Sequence, residues 1–495
     1  MKINPTIFRE YDIRGVIDTG LSEKAVLEYE KWYGTFPGIT IRREDAEAIG
    51  KAYGTVIVRG GGAKVVVGHE IRPGADMLTD AFIAGVRTTG CAVVDLGVSL
   101  TPIVYFMTAH GGYDGGVNIT GSHNVYFFNG FKLMKKDVWP LFSQELQGMR
   151  ILIEKEDFIK AEKLAVLETL DAFSVYSEYL LSHIKLARPL KIVIDCGNGS
   201  AGVFAPEVFK KLGCEVIGLY IDSDATFPNH IPDPEQRQFY GELQRLVVST
   251  KADLGIAFDA DGDRVGFVDE RGEFIEADEA LLIFARAALS RNKGKKILYD
   301  VKCSQIFEEL IPQFGGVPFM HRTGHGPIKE TMRKDSEIIF AGETSGHFYF
   351  VEDYYKIDDG LWAAARMLEI LAAGSAPASG LAAGFPRRVR TPEFKLPCAD
   401  GLKFDGVRAI QQSLCARYEA ITLDGVRIRI SRTGWGLVRA SNTSPYLTVK
   451  LEGETEKEAL AIKNILADEL EKHPEVGERL DGAVIARLGG KLGWI

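Results

Sequence analysis

The sequence predicts an α/β fold: three similar domains with largely parallel sheets, then a smaller α+β domain. Three observations lead there. Apolar strand-like runs and helix-like stretches alternate, and that order restarts three times. The soft segment Ala372-Ala373-Gly374-Ser375-Ala376-Pro377-Ala378-Ser379-Gly380 then interrupts the rhythm. Beyond it, apolar and polar residues alternate with period two, as in half-buried antiparallel strands.

In the first unit, Lys64-Val65-Val66-Val67-Gly68 reads as a strand, about Asp76 to Thr88 as a helix and Ala92 to Leu96 as the next strand. The second opens with the strand Lys191 to Asp195, a helix near Pro206 to Leu212 and a strand over Glu215 to Ile221. The third opens with Lys296 to Asp300 and a helix near Ser304 to Ile311. In the last, Gly425 to Ile430 and Leu447 to Leu451 are the alternating strands, and a helix spans about Glu456 to Glu471. The domain limits are set at 1–168, 169–273, 274–386 and 387–495. Residues 20–40 break the first domain's pattern as an aromatic-rich insertion (Tyr29, Trp32, Tyr33, Phe36) with no evident role.

A chain of 495 residues exceeds what one core serves. Its 46% hydrophobic and 26% charged residues are those of an ordinary globular protein. A net charge of −9 argues against nucleic acid or an anionic membrane as partner. Apolar runs fall short of the roughly 20 residues that span a bilayer, and Met1-Lys2-Ile3-Asn4-Pro5 lacks a signal-peptide layout. Six scattered cysteines without a Cys-x-x-Cys pair predict reduced thiols in a cytoplasmic protein.

The chemistry concentrates in four constellations. Asp259-Ala260-Asp261-Gly262-Asp263-Arg264 places three carboxylates at alternate positions between two apolar runs. Crowded acids repel, and a hard cation with oxygen ligands relieves them. An EF-hand is a poor match, because Arg264 stands where that loop needs glycine and the flanks read as strands; a solvated acidic turn is the plain alternative. Asn118 to Asn124 presents Ser122 beside His123 on a loop after a strand, which suits a nucleophile or phosphoryl acceptor and equally an ordinary turn. Lys132 follows the Asn129-Gly130 turn as a charge or proton donor. Glu343, Thr344, Ser345 and His347 share a glycine-bounded loop suited to sugar hydroxyls and proton transfer, or to a polar turn. Arg439, Ser441, Asn442, Thr443 and Ser444 offer many donors and no acid, the composition of a phosphate cradle or a capped turn.

One signal competes. Gly197-Asn198-Gly199-Ser200-Ala201-Gly202 matches the Gly-x-Gly-x-x-Gly dinucleotide fingerprint, with Asp222 at the distance expected of its acid, so an NAD-dependent oxidoreductase is a rival. His321 and His325 have the spacing of helical metal ligands, but the glycines and proline around His325 indicate a loop.

Together and in this order, the four constellations resemble the α-D-phosphohexomutase family, from Phe8-Arg9-Glu10-Tyr11-Asp12-Ile13-Arg14-Gly15 to the Arg439 loop. The resemblance implies three similar α/β domains with mixed, largely parallel sheets and a smaller α+β domain around a central cleft. It implies an intramolecular phosphotransferase that interconverts hexose 1- and 6-phosphates of mannose, glucose or both. Ser122 would carry phosphate, Asp259, Asp261 and Asp263 would hold Mg²⁺ with a phosphoserine oxygen, and hexose 1,6-bisphosphate would be the intermediate. Glu343, Ser345 and His347 would recognise the sugar; Arg439, Ser441, Asn442 and Thr443 would grip its phosphate. Tyr11, Arg14, Lys302 and His325 match further substrate positions. His123, Lys132, Arg264 and His347 are the remaining catalytic candidates. A phosphoglucosamine mutase and a non-catalytic sugar-phosphate-binding protein are the alternatives. The chain departs from the family pattern at Val125, where proline is usual, at His69-Glu70-Ile71-Arg72, and in the insertion.

Overall fold

The protein is described here by a computed structural model covering residues 2–18, 21–33, 35–442 and 445–473. Four sheets follow one another along the chain, as the sequence pattern requires. The first comprises β1 (Ile13–Val16), β2 (Lys64–His69), β3 (Ala92–Val98), β4 (Gly115–Ile119), β5 (Phe128–Lys135), β6 (Trp139–Pro140) and β7 (Leu167–Thr169). Its order is β1-β5-β4-β2-β3-β7, with β6 beside β5. The second comprises β8 (Lys191–Asp195), β9 (Glu215–Leu219), β10 (Leu254–Phe258), β11 (Val265–Asp269) and β12 (Phe274–Ile275), in the order β12-β11-β10-β8-β9. The third comprises β13 (Lys296–Asp300), β14 (Val317–His321), β15 (Ile338–Gly342) and β16 (Phe348–Phe350), in the order β14-β13-β15-β16.

These three sheets are mixed, each with a parallel centre and an antiparallel edge. In the second, β8 runs parallel to β9 and β10, while β11 is antiparallel to β10. Parallel strands need coverage on both faces, which explains their unbroken apolar runs. Residues 274 and 275 pair with β11, so the second sheet ends just past the limit expected at 273.

The fourth sheet, wholly antiparallel, holds β17 (Val389–Arg390), β18 (Phe394–Pro397), β19 (Glu419–Ile421), β20 (Val426–Arg429), β21 (Trp435–Ala440) and β22 (Tyr446–Gly453). The helices Lys403–Cys415 and Glu456–Leu470 pack on it around Val407, Ile410, Ile462 and Leu466. Thr455 caps the second of these by accepting from Glu458 N.

A continuous apolar core joins the first three units, running from Val66 and Phe106 through Phe209 and Phe258 to Trp362. The C-terminal unit has a core of its own. Val301 of the third unit packs with Trp435 and Leu437 of the fourth, and a cleft lined by all four units lies between them.

Several elements differ from expectation. The helix Ala201–Lys211 begins five residues before Pro206 and carries that proline within it, at the cost of one backbone donor. The soft linker is anchored: Ser379 donates from N and Oγ to the Glu270 carboxylate, at 3.0 and 2.6 Å. Glu270 is therefore committed away from the acid loop, and strands flank that loop, so the EF-hand reading fails. His321 ends β14 and His325 opens the helix His325–Lys334, where a loop is the expectation, so the two do not share a helix face. The insertion contains the helix α1 (Glu23–Tyr33).

Candidate active site

The acid loop is a tight connection between antiparallel β10 and β11. Gly262 sits at φ 74°, and Gly262 N bonds back to the Asp259 carbonyl at 3.2 Å. A side chain there would be strained by that backbone and would meet Leu100 at 3.0 Å. The first domain holds the loop from below: Thr101 N donates to the Asp261 carbonyl at 3.0 Å, and Thr101 Oγ1 donates to the Asp261 carboxylate.

The serine loop meets it from β4. Ser122 has φ 49°, an uncommon conformation for a non-glycine residue and one concentrated at functional positions. Its Oγ lies 3.5 Å from Asp259 Oδ2, although the two are 137 residues apart, and 3.3 Å from His123 Nδ1. The loop is clamped by Glu70 and Arg72. Glu70 Oε1 accepts from Thr120 Oγ1 at 2.8 Å and from Gly121 N. Arg72 pairs with Glu70 at 2.6 Å and donates to the carbonyls of Ser122 and Val125. The departure at residues 69–72 thus lies in the scaffold that shapes the serine turn.

Asp259, Asp261 and Asp263 are fully buried, and one oxygen from each can lie within 4.8 Å of the others. Burial and the two neighbouring carboxylates push Asp259 well above the usual carboxylate range. Asp261 is held far below it, since Lys132 and Thr101 outweigh its own burial. Asp261 Oδ1 and Asp263 Oδ1 are buried without a hydrogen-bond partner. Orphaned, hard and anionic oxygens fit a divalent cation of the Mg²⁺ type. Lys132 Nζ reaches Asp261 at 2.8 Å and also Asp263. Burial alone would lower the Lys132 pKa, but these acids raise it and keep the ammonium charged.

His347 stands on the far side of the acid loop. Its Nε2 accepts from Arg264 Nε at 3.0 Å, and its Nδ1 lies 3.0 Å from Asp358 Oδ2. Lys329 pairs with the other Asp358 oxygen at 2.9 Å. Arg264 also faces Asp233 and Glu235, each at 3.9 Å. These acids overcome its burial and raise its pKa further.

Around the rim, Glu343 accepts from Gly324 N at 2.7 Å and Tyr349 Oη at 2.9 Å. Ser345 is buried beside it and lines the same cleft. Tyr11 Oη donates to the Thr323 carbonyl at 2.7 Å and accepts from Asn442. Arg14 bonds Asp12 at 3.0 Å and the Thr120 carbonyl. His325 Nε2 lies 3.5 Å from Asp12. Lys302 bonds Glu393 at 3.0 Å, and Arg439 Nε bonds Asp424 at 3.0 Å. Ser441 N donates to the Tyr446 carbonyl at 2.9 Å, closing the loop that carries Asn442. Thr443, the remaining expected member, lies outside the described residues.

One cleft is therefore lined by Ser122, Lys132, Arg264, His347, Glu343 and Arg439, contributed by all four units, and His123, Tyr11, Arg14, Lys302 and His325 border it too. Motif reading misses Asp12, Asp358, Glu393 and Asp424, each of which holds a site cation or imidazole in place. Asp12 sits within the Phe8–Gly15 stretch and Asp358 beside Asp359, but the part each acid plays shows only through its partner.

The dinucleotide rival does not survive the geometry. A Cβ on Gly202 would lie 2.1 Å from the Ile221 carbonyl, and one on Gly199 2.8 Å from Ala260 Cα. The segment 220–232 covers the turn: Asn198 N donates to the Tyr220 carbonyl, and Asn198 Nδ2 to the Asp222 carbonyl. These glycines pack the chain against itself, where a pyrophosphate would need open backbone amides.

Family models for the phosphoglucomutase/phosphomannomutase α/β/α domains I, II and III match residues 5–160, 174–272 and 276–389. The model for the C-terminal domain of the same proteins matches 393–469. The chain is 39% identical over 466 residues to a phosphomannomutase/phosphoglucomutase of Pseudomonas aeruginosa, covering 94% of this chain and 95% of that one. It is 35% identical over 480 residues to a phosphoglucomutase of Neisseria gonorrhoeae, covering 96% and 98%. A crystal structure of a phosphoglucomutase/phosphomannomutase family protein from Burkholderia thailandensis superposes with a TM-score of 0.83 at 34% identity, over 100% of both chains.

Proposed function

The chain belongs to the phosphoglucomutase/phosphomannomutase family, and from that premise we infer that it interconverts the 1- and 6-phosphates of mannose, glucose or both through a phosphoserine at Ser122. The observation that carries this reading is the meeting of Ser122 Oγ with Asp259 at 3.5 Å. A nucleophilic hydroxyl delivered to three buried carboxylates from another domain is suited to phosphoryl transfer.

In the first half-reaction the phosphorus–Oγ bond of phospho-Ser122 breaks, and a bond forms to the free hydroxyl of the hexose phosphate. The hydroxyl proton leaves to a base, the departing Ser122 Oγ takes up a proton and returns to a free hydroxyl, and hexose 1,6-bisphosphate results. That intermediate turns over in the cleft and returns its other phosphate to Ser122. Asp259, Asp261 and Asp263 would hold Mg²⁺, whose charge offsets that of the phosphoryl oxygens. Lys132, kept cationic by its acids, supplies fixed positive charge in the cleft that Ser122 lines. His347, oriented by Asp358, is the base candidate on the opposite side. Arg439, Ser441, Asn442 and Thr443 grip the phosphate that is not reacting. Because either end of the sugar must react, the same cradle serves both poses.

The test is a mutase assay on mannose, glucose and glucosamine 1-phosphates, with and without Mg²⁺ and with catalytic hexose 1,6-bisphosphate. Mg²⁺-dependent conversion of the mannose or glucose substrate is expected. Exclusive turnover of glucosamine 1-phosphate, or of none of the three, contradicts the reading.

A further inference from the structure

The insertion left without a role by its sequence reaches the cleft. Val16 N donates to Thr40 Oγ1 at 2.8 Å, while Thr40 N and Ile41 N both donate to the Val16 carbonyl. The inserted segment therefore leaves and rejoins the chain at the end of β1. The next residue, Ile17, donates to the Phe127 carbonyl at 3.0 Å. Phe127 lies on the stretch joining the serine turn to β5, so the root of the insertion is stitched to the serine loop.

An aromatic cluster extends that seam. Tyr29 of α1 stacks on Phe128, with centroids 5.8 Å apart and planes 26° apart. It meets Phe127 and Phe36 edge-on, at 6.0 and 5.7 Å. Phe127 is almost wholly buried, whereas Tyr29, Phe36 and Phe128 are half-buried. Tyr29, Val125 and Phe128 then line the same cleft as Ser122. Much of the remaining lining is charged or hydrogen-bonding; the Tyr11 hydroxyl bonds Thr323 and Asn442, and its ring meets His325 edge-on.

We propose that the insertion is a wall of the substrate site and that Tyr29 contacts the hexose ring, offering an aromatic surface to its C–H groups. The proposal rests on the reading that this cleft takes hexose phosphates. Its physical logic follows from the two poses such a sugar must adopt. A hydrogen bond is directional and favours one pose, whereas contact between C–H groups and an aromatic ring tolerates rotation. A ring wall beside the serine thus holds the sugar without fixing which end faces Ser122. Where the family pattern has proline, Val125 sits next to this wall and adds apolar surface.

Calorimetric binding of glucose 6-phosphate and of inorganic phosphate, to wild type and to Tyr29→Ala, tests this. The variant should bind glucose 6-phosphate about five- to tenfold more weakly, as expected for one lost aromatic contact, and inorganic phosphate as before. In turnover, KM should rise while kcat changes less. Tyr29→Phe keeps the ring and should bind the sugar phosphate like wild type. If Tyr29→Ala fails to fold, Tyr29→Leu keeps most of the packing, loses the aromatic face and should show the same selective loss. Unchanged glucose 6-phosphate affinity in the variant overturns the proposal. An equal loss for both ligands also overturns it, because that reports collapse of the serine loop. A wild type that turns over no hexose phosphate removes the functional reading itself, and the proposal with it.

Discussion

His347 reaches the cleft with Nε2 accepting from Arg264 Nε and Nδ1 standing 3.0 Å from Asp358 Oδ2. Asp358 is therefore a positioning residue, and removing its charge frees the imidazole to turn. Asp358→Asn should lower kcat by about 10- to 100-fold with little change in KM. Steady-state kinetics of the variant check this: a fall in kcat at nearly unchanged KM reports lost positioning rather than lost binding. The adjacent Asp359 has a different part. It caps the helix Gly360–Ala373 by accepting from Trp362 N, and it accepts from Tyr176 and Tyr354. Burial pushes its pKa up to about 6 against those hydrogen bonds. A carboxyl raised in the fold binds more protons folded than unfolded between about pH 4 and 6. Its contribution to stability is full below pH 4 and is lost as pH rises through 6. Asp359→Asn keeps an acceptor at the cap and should flatten that segment of the stability curve, as read by denaturant unfolding from pH 4 to 7.

At the scale of elements, the site is two turns brought edge to edge, and the glycine-rich turn after β8 supports one of them. Ser200 N donates to the Ala260 carbonyl at 2.9 Å, and Gly199 lies flat against Ala260. Gly199→Ala puts a methyl 2.8 Å from a backbone atom of the acid loop, so one of the two turns must move. A loss of about 1–3 kcal/mol is expected, together with a higher Mg²⁺ requirement. Thermal melts and Mg²⁺ activation curves measure the two. The loops carrying Asp259–Asp263, Ser122, Glu343–His347 and Arg439–Asn442 are legible in sequence because each concentrates unusual residue types within a few positions. The Gly197–Gly202 turn is legible as well but points to the wrong ligand, since close backbone packing and pyrophosphate binding both select glycine. Glu393 and Asp424 escape sequence reading for the opposite reason, since a lone acid carries no pattern, and Asp358 is masked by Asp359, its helix-capping neighbour. Tyr29 stands out in sequence only as one aromatic of the insertion, because its contacts with Phe127 and Phe128 are made across the fold.

For the whole molecule, the contrast between three fused units and one docked unit sets how the cleft is held. Arg427 spans the junction. Its guanidinium donates to the Val301 and Cys303 carbonyls at 2.6 and 2.8 Å and lies 3.7 Å from the centre of the Trp435 ring. Gln305 N also bonds Glu452 at 2.9 Å. Contact with the first unit includes Asn442 with Tyr11 and the exposed Arg9–Asp400 pair. Arg427→Ala strips two buried carbonyls of their donor and should cost about 3 kcal/mol. The C-terminal unit carries Arg439, so KM for a phosphorylated sugar should rise with it; kinetics of that variant beside its melting curve check both effects. Passage of phosphate between Ser122 and a hexose can be followed directly. The protein is incubated with ³²P-labelled glucose 1,6-bisphosphate and Mg²⁺, its labelled peptide is mapped, and the labelled protein is then mixed with unlabelled glucose 1-phosphate. Label is expected on Ser122, followed by its transfer into sugar phosphate, with neither event in Ser122→Ala. Label that stays on Ser122 when sugar is added, or wild-type mutase turnover in Ser122→Ala, would contradict it.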